Sequence, residues 1–271
     1  MTFFPVKEKI SVTRIDRLEL SYDLVFTTPF HSGTGLRAGL IDRSVVRDHA
    51  GYLYVPGSTI KGVLRQHCEE LSRLYEILDE EMQTLIASPH DAQIALWTRG
   101  YFPPMITRIF GSRDVPGGLF FDDARQTEAE KQLYVDEKGK GKYQSLQTEL
   151  ATQVRLDRPT RIAVPGALYT SEFGSKDILL HGEITGWLEC LRIEDIMEPA
   201  PTYSLLLLLT GLHLLESLGG NRSTGKGHCR CEIKKLMYDN VEVSPVVWQA
   251  WLDHLKSLSS YSYAVAKEEE A

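Results

Sequence analysis

The chain is poor in cysteine, has no long apolar run and carries no basic surplus. Its 271 residues include 4 cysteines, at positions 68, 190, 229 and 231. That is far below the density of a disulfide framework and suits a reducing, cytoplasmic compartment. Residues 1–10 contain Phe3 and Phe4 but no apolar stretch of the kind a secretory leader needs. The greasiest run, 205–218, is broken by Thr210, Gly211, His213 and Glu216. It is expected to be a buried helix and not a bilayer span. A formal charge of −7 argues against a sequence-blind nucleic-acid binder, which is basic overall. A local basic groove on an acidic body remains compatible with that sum. There is no His-x-x-x-His, no Gly-x-Ser-x-Gly and no cysteine with a histidine partner suited to nucleophilic catalysis.

What is present describes an ordinary packed protein. Hydrophobic residues make up 42% and charged residues 25%, enough for a core, and no repeat or low-complexity linker divides the chain. One elaborated body over 1–271 is expected. Residues 17–26 (RLELSYDLVF) alternate apolar and polar, the period of a half-buried strand. A glycine-containing loop covers 27–39 and a short strand 51–55. From Ser58 or Thr59 as N-cap, Ile60, Val63, Leu64, His67, Leu71, Leu74 and Leu78 recur at helical spacing. Strands are expected at 118–122, 166–169, 178–190 and 228–238, and helices at 203–218 and 245–258. The acidic end of the chain is expected to fray within 245–271. The polar segment 126–153, with its DEKGKGK tip, reads as a projecting insertion. The order matches a split βαβ, ferredoxin-like or RRM-like βαββαβ core of the α+β class with large insertions.

Three constellations bear chemistry. Residues 28–65 form a basic island holding Arg37, Arg43, Arg47, Lys61 and Arg65 against Asp42 and Asp48. Gly57 and Ser58 stand at a helix start, where unpaired N–H groups and the helix dipole attract phosphate. Lys61 and Arg65 share one face of that helix. A tight turn with solvated cations is the equal alternative. The second is GGNRSTGKG, 219–227. Its spacing imitates a P-loop, yet Gly227 stands where a magnesium-binding hydroxyl belongs, and the loop follows a helix where a P-loop follows a strand. A bare backbone with Arg222 and Lys226 beside a sugar–phosphate chain is one reading, and a helix C-cap is the other. The third is Asp42, whose neighbouring arginines favour its charged form. Next to a phosphodiester it could act as base, orient a 2′-hydroxyl or hold a divalent ion. A plain ion pair is the competing reading. His228, Cys229 and Cys231 lack the usual zinc spacing, and the two strand cysteines are expected to pack as small hydrophobes.

TPFHSGTG, LIDRSVVRD and GYLYVPGSTIKGVLR resemble the amino-terminal signature of the stacked backbone subunit of Csm and Cmr complexes, within the RAMP superfamily of CRISPR proteins. RIFGS, GLFFDDA and VRLDRPTRIAVPGALYTSE resemble its central strand and insertion, and GGNRSTGKG resembles the carboxy-terminal glycine-rich loop. The resemblance implies an RRM-like fold with an inserted thumb-like hairpin, placed at 126–153. It implies head-to-tail stacking of copies along a CRISPR guide RNA (crRNA), next to other type III CRISPR subunits. The hairpin would displace nucleotides of the guide–target duplex, with Tyr134, Leu146 or Leu150 as wedge.

By the same resemblance Asp42 cuts complementary single-stranded target RNA. The cut is metal-dependent, with Mg²⁺ expected at Asp42, and leaves a 2′,3′-cyclic phosphate and a 5′-hydroxyl. RNA-binding positions are expected at His31, Arg37, Arg43, Gly57, Ser58, Lys61, Arg65, Arg155, Arg222, Ser223 and Lys226; of these the resemblance implies Lys61, the glycine loop and His31. Affinity would come from phosphates and sequence from base pairing by the guide. A non-catalytic crRNA-binding scaffold is the alternative within the family, a stand-alone processing ribonuclease a further one. An ordinary RRM-like RNA binder would need stacking aromatics on its sheet.

Overall fold

Alternation along the first strand decides which way the sheet faces. The computed structural model describes residues 15–75, 105–112, 116–135, 147–189, 191–196 and 199–261. In β1 (Ile15–Phe26) the even positions from Asp16 to Phe26 are buried, and no odd position is. β1 pairs antiparallel with β7 (Leu179–Glu189) on one side and β8 (Cys229–Tyr238) on the other. β3 (Leu119–Phe121) pairs with the outer side of β7. The order β3–β7–β1–β8, with α1 (Gly57–Tyr75) between β1 and β3 and α4 (Tyr203–His213) between β7 and β8, is the ferredoxin-like βαββαβ arrangement. β2 (Tyr54–Val55), β4 (Ala124–Arg125) and β9 (Val241–Glu242) widen it to seven strands.

The two helices lie on the face that β1 buries. α1 turns Ile60, Leu64, Cys68 and Leu71 inward at spacings of three and four, the stripe that burial of one helical face requires. α4 is buried from Tyr203 to Leu212, which is why its leucines run without a polar face. It stops at His213, earlier than the 203–218 expected. A turn follows, with Leu215 N–H bonded back to Leu212, and Ser217 already bridges to His228, so the helix does not continue. α2 (Met105–Phe110) and α5 (Pro245–Trp251), continued by the 3₁₀ stretch Leu252–Ser260, close the same layer. No described helix is long and apolar enough to cross a membrane.

The start of α1 differs from the expectation. The helix begins at Gly57, and the Gly57 N–H donates to the Asp123 carboxylate at 3.0 Å. Thr59 and Ile60 N–H groups donate to the Pro56 carbonyl, so the end is capped from within the protein. A Cβ on Gly57 would come within 2.0 Å of the Phe121 carbonyl oxygen. Close approach of α1 to β3 is what requires a glycine at this position.

The projecting hairpin also lies elsewhere than expected. Residues 126–135 hold the short α3 (Glu128–Gln132), capped by Thr127, and 136–146 fall outside the described residues. The separate two-stranded sheet is β5 (Thr148–Leu156) with β6 (Ala163–Gly174), overlapping the expected 126–153 only at 148–153. The period-2 signal was weak there because this hairpin buries neither face along most of its length. Of the expected wedge residues, Leu150 lies on it, Tyr134 lies just after α3, and Leu146 is outside the described residues. The frayed tail expected at the chain end lies partly outside them too.

Replacing Gly57 with alanine should force α1 from β3 and cost about 2–3 kcal/mol, the scale of overpacking a tight contact. A urea unfolding curve superimposable on that of the unsubstituted protein would contradict this close-approach account.

Candidate functional site

Three segments far apart in sequence meet at the root of the hairpin. The loop after β1 lies along the free edge of β6. Asp42 N–H donates to the Thr170 carbonyl and Thr170 N–H donates to Asp42 Oδ2, both at 2.9 Å. Glu172 N–H then donates to the Arg43 carbonyl at 2.9 Å. Thr170 turns both its backbone groups outward to this loop, and its side chain faces Thr152 across the hairpin. A free strand edge thus becomes the seat of the Asp42 carboxylate.

A buried ionic clamp fixes that contact. Glu172 Oε1 takes a hydrogen bond from Arg47 Nη2 at 2.7 Å, and Oε2 takes one from Val45 N–H at 3.0 Å. Arg47 also donates to Thr148 Oγ1 and the Gly51 carbonyl. Burial alone would raise the Glu172 carboxyl above its ordinary value. The Val45 N–H, the Arg47 guanidinium and the Thr148 hydroxyl outweigh that and hold it below. Arg47 is therefore a structural cation. Glu172 was not singled out from sequence. It sits among polar strand residues, and its partners on the loop, Arg47 and Val45, are more than 100 positions away.

The glycine loop docks onto the same place. Gly220 N–H donates to the His31 carbonyl and Gly227 N–H to the Pro29 carbonyl, each at 2.8 Å. Gly219 has φ of +89°, and a Cβ there would lie 2.4 Å from the His31 carbonyl oxygen. His31 Nδ1 lies 2.8 Å from the Glu172 carbonyl oxygen, as its donor, and its ring meets Phe173 edge-on. Arg43 reaches both elements, with Nη1 3.4 Å from Asn221 Oδ1 and its guanidinium 5.3 Å over the Tyr169 ring. Lys226 lies over Phe173 and 3.7 Å from Glu149. Arg222 and Ser223 are exposed on the 3₁₀ turn Arg222–Thr224.

Asp42, Arg37, Arg43, His31, Arg222, Ser223 and Lys226 thus belong to one junction. The cations of α1 do not join it through any described contact. Lys61 lies over the Phe121 ring, its ammonium pushed down by burial and then by Arg65. Arg65 bonds Glu69 and the Gly111 carbonyl, so its guanidinium is committed to the fold. Ser58 is exposed beside them, while Gly57 is buried. Arg155 is exposed on β5, nearer the hairpin tip. On that hairpin Val154 faces Leu168, and both are exposed.

Of the sheet aromatics, Tyr22 and Phe26 are buried in the core, whereas Phe120 is exposed. Cys229 is buried and Cys231 half-buried; burial pushes the Cys229 thiol up to about 12 and raises that of Cys231 as well.

The donor set around Asp42 does not by itself make a metal cage. Oδ2 receives the Thr170 N–H, and Arg37 Nη2 lies 3.4 Å from Oδ1. Among the described residues no group of three or more His, Cys, Asp or Glu is placed to hold an ion.

The RAMP superfamily model matches residues 23–230. The chain belongs to the RAMP superfamily. The match runs from within β1 to the start of β8, and so takes in the Asp42 loop, the hairpin and the glycine loop. Among solved structures, a chain described as "Cryo-EM structure of the Type III-B Cmr-beta bound to cognate target RNA" is similar, with a TM-score of 0.49 and 11% identity over 79% of this chain and 96% of that one. No curated protein sequence matches.

Glu172→Gln keeps the shape of the clamp but removes its charge, and should destabilise the protein by about 3 kcal/mol near neutral pH. Because the folded carboxyl lies below its unfolded value of about 4.3, the charge contributes stability above that pH. The contribution disappears as pH falls through the folded value. The gap between the two proteins in urea unfolding should therefore narrow below about pH 4; a gap independent of pH would contradict the clamp.

Proposed function

We propose that this RAMP protein is a guide-RNA-binding backbone subunit of a type III CRISPR interference complex, and that it cuts complementary target RNA at Asp42. Copies stack along the crRNA and stand beside other subunits of the complex. The observation that carries the reading is the Asp42 carboxylate, pinned by Thr170 N–H where the basic loop, the glycine loop and the hairpin root converge.

The geometry supports a simple transesterification. Asp42 Oδ1 takes the proton of a ribose 2′-hydroxyl. The 2′-oxygen then bonds to the adjacent phosphorus and the bond from phosphorus to the 5′-oxygen breaks. The leaving oxygen takes a proton from water, giving a 2′,3′-cyclic phosphate and a 5′-hydroxyl, and the hydroxide left behind takes the proton from Asp42. Arg37, next to Oδ1 and mostly exposed, is placed to meet the charge that builds on the phosphorane. A divalent ion at Asp42 would have to draw its remaining ligands from RNA and water, and no step is assigned to it. Arg43, Arg222 and Lys226 supply phosphate contacts, which position the strand without reading its bases.

A second reading has its own observation. Both Asp42 oxygens already have protein partners, Thr170 N–H and Arg37. A non-catalytic scaffold would need nothing more of this residue.

Asp42→Ala in the assembled complex separates the two. Cutting of target RNA should fall about 10²–10⁴-fold with guide and target still bound. An undiminished cutting rate in an intact complex would leave only the scaffold. Replacing both Arg43 and Arg222 with alanine should weaken RNA binding and flatten the slope of log K against log salt by about 1.4, near 0.7 for each lost phosphate contact on a single strand. An unchanged slope would remove these two from the RNA path.

A further inference from the structure

Where β3 gives way to β4, the strand running beside β7 carries an extra residue. Phe121 faces Ile184 and Arg125 faces His181, so four steps on one side span three on the other. Asp122 N–H still donates to the Glu183 carbonyl at 3.0 Å, so the surplus falls just after Asp122. A bulge of this kind bends its strand and re-aims the side chains on it. Here it borders a cavity of about 420 Å³ whose wall includes Asp122, Asp123, Arg125, Gln126, His181 and Glu183. None of these residues belongs to the Asp42 junction.

The cations of this wall are already matched. Arg125 Nη2 lies 2.6 Å from Asp123 Oδ2, and its guanidinium lies 4.7 Å over the Tyr54 ring. His181 Nδ1 lies 2.8 Å from Asp23 Oδ1. Lys234, next to it on the sheet, pairs with the other Asp23 oxygen and with Glu232. The acceptors are not matched. Asp122 is exposed and has no ion-pair partner among the described residues. Glu183 has only the His181 ring, 3.8 Å away.

A buried amide adds an independent sign of a ligand. Gln126 lines the cavity and is only 3% exposed. Its Nε2 donates to Gln147 Oε1 at 2.9 Å, while its own Oε1 has no partner. A buried acceptor left without a donor is costly, and native proteins pair such groups. A donor entering the cavity would satisfy it.

These features select the ligand's chemistry. Phosphates and carboxylates would meet Asp122 and Glu183 with like charge. A bare divalent ion would want several closely set ligands, and no group of three is so placed among the described residues. An ammonium group brings positive charge and three N–H donors together. The cavity is the size of a small-molecule site, far larger than one ammonium group needs. A short alkyl chain with an ammonium at each end would occupy it and reach more than one acceptor.

We infer that the cavity between β3, β4 and β7 binds an alkyl polyamine, its ammonium groups held by Asp122, Glu183 and the Gln126 side-chain carbonyl. The inference is independent of the reading of Asp42, since the site needs neither RNA nor other subunits.

The test is calorimetric titration of the full-length protein, without RNA, using 1,4-diaminobutane, spermidine and butylamine at matched ionic strength. The two polyamines should bind saturably at one site, and butylamine about tenfold more weakly or worse. Asp122→Asn with Glu183→Gln, both at exposed positions, should weaken polyamine binding about tenfold or more. Glu216→Gln with Glu242→Gln removes the same charge from exposed positions outside the cavity wall and should leave binding as it was. Gln126→Met should weaken it several-fold, with circular dichroism reporting that the fold is kept. Absence of saturable binding with Kd below about 1 mM overturns the site. Equal binding of butylamine, or equal loss in the two charge-removing variants, overturns it as well, since either would reduce the effect to general attraction. Tighter binding of Mg²⁺ than of the polyamines, lost in the Asp122 and Glu183 variant, would make it a metal site and overturn the assignment of the ligand.

Discussion

The Glu172 carboxylate ties the loop to the hairpin. Its two oxygens bind Arg47 and Val45 N–H on the loop after β1, while its own backbone N–H holds the Arg43 carbonyl. A buried carboxylate is tolerated only when ion pairing and hydrogen bonds repay its lost hydration, and here every partner comes from the loop or from β5. Position and charge are thereby coupled. If the loop lifts from β6, Glu172 is left charged and unpaired, so the lifted state is disfavoured. Asp42 is held on the same strip, two residues before Ser44 and bonded to the strand two residues before Glu172. The placement of the carboxylate is inherited from the clamp.

The same logic explains the glycine loop. Its tip carries the exposed cations, but its glycines serve contact with the first loop. Gly219 lies against the His31 carbonyl and Gly220 gives that carbonyl its N–H. A run that imitates a phosphate-binding loop is in this fold a docking surface for another loop, and its tip, Arg222 to Gly225, is what stays exposed. Arg43 bridges the two loops and the hairpin at once, through Asn221 and Tyr169. Arg37, Arg43, Arg47 and Lys226 thus meet Asp42, Glu149 and Glu172 around one junction, a local grouping that net charge cannot reveal.

The fold was largely legible from the sequence, the site only in its pieces. β1, β7, β8 and the face of α1 follow from hydrophobic period, because those elements bury one side against a continuous core. The hairpin was misplaced because β5 and β6 bury neither face for most of their length and give no alternation to read. Lys61 and Arg65 looked like partners of Asp42 because they share its basic island. In space α1 carries Arg65 to Glu69 and Gly111 instead.

Residue type and local spacing determined the strands, the helices, the identity of the glycine turns and the presence of a carboxylate among arginines. Tertiary structure alone decided which cations stand with that carboxylate, that its seat is the edge of β6, and that Glu172 locks the two together. The physical reason is separation along the chain. Local periodicity records whether a side chain is buried, while the choice of its partner more than 100 residues away is made by the packing of the whole sheet.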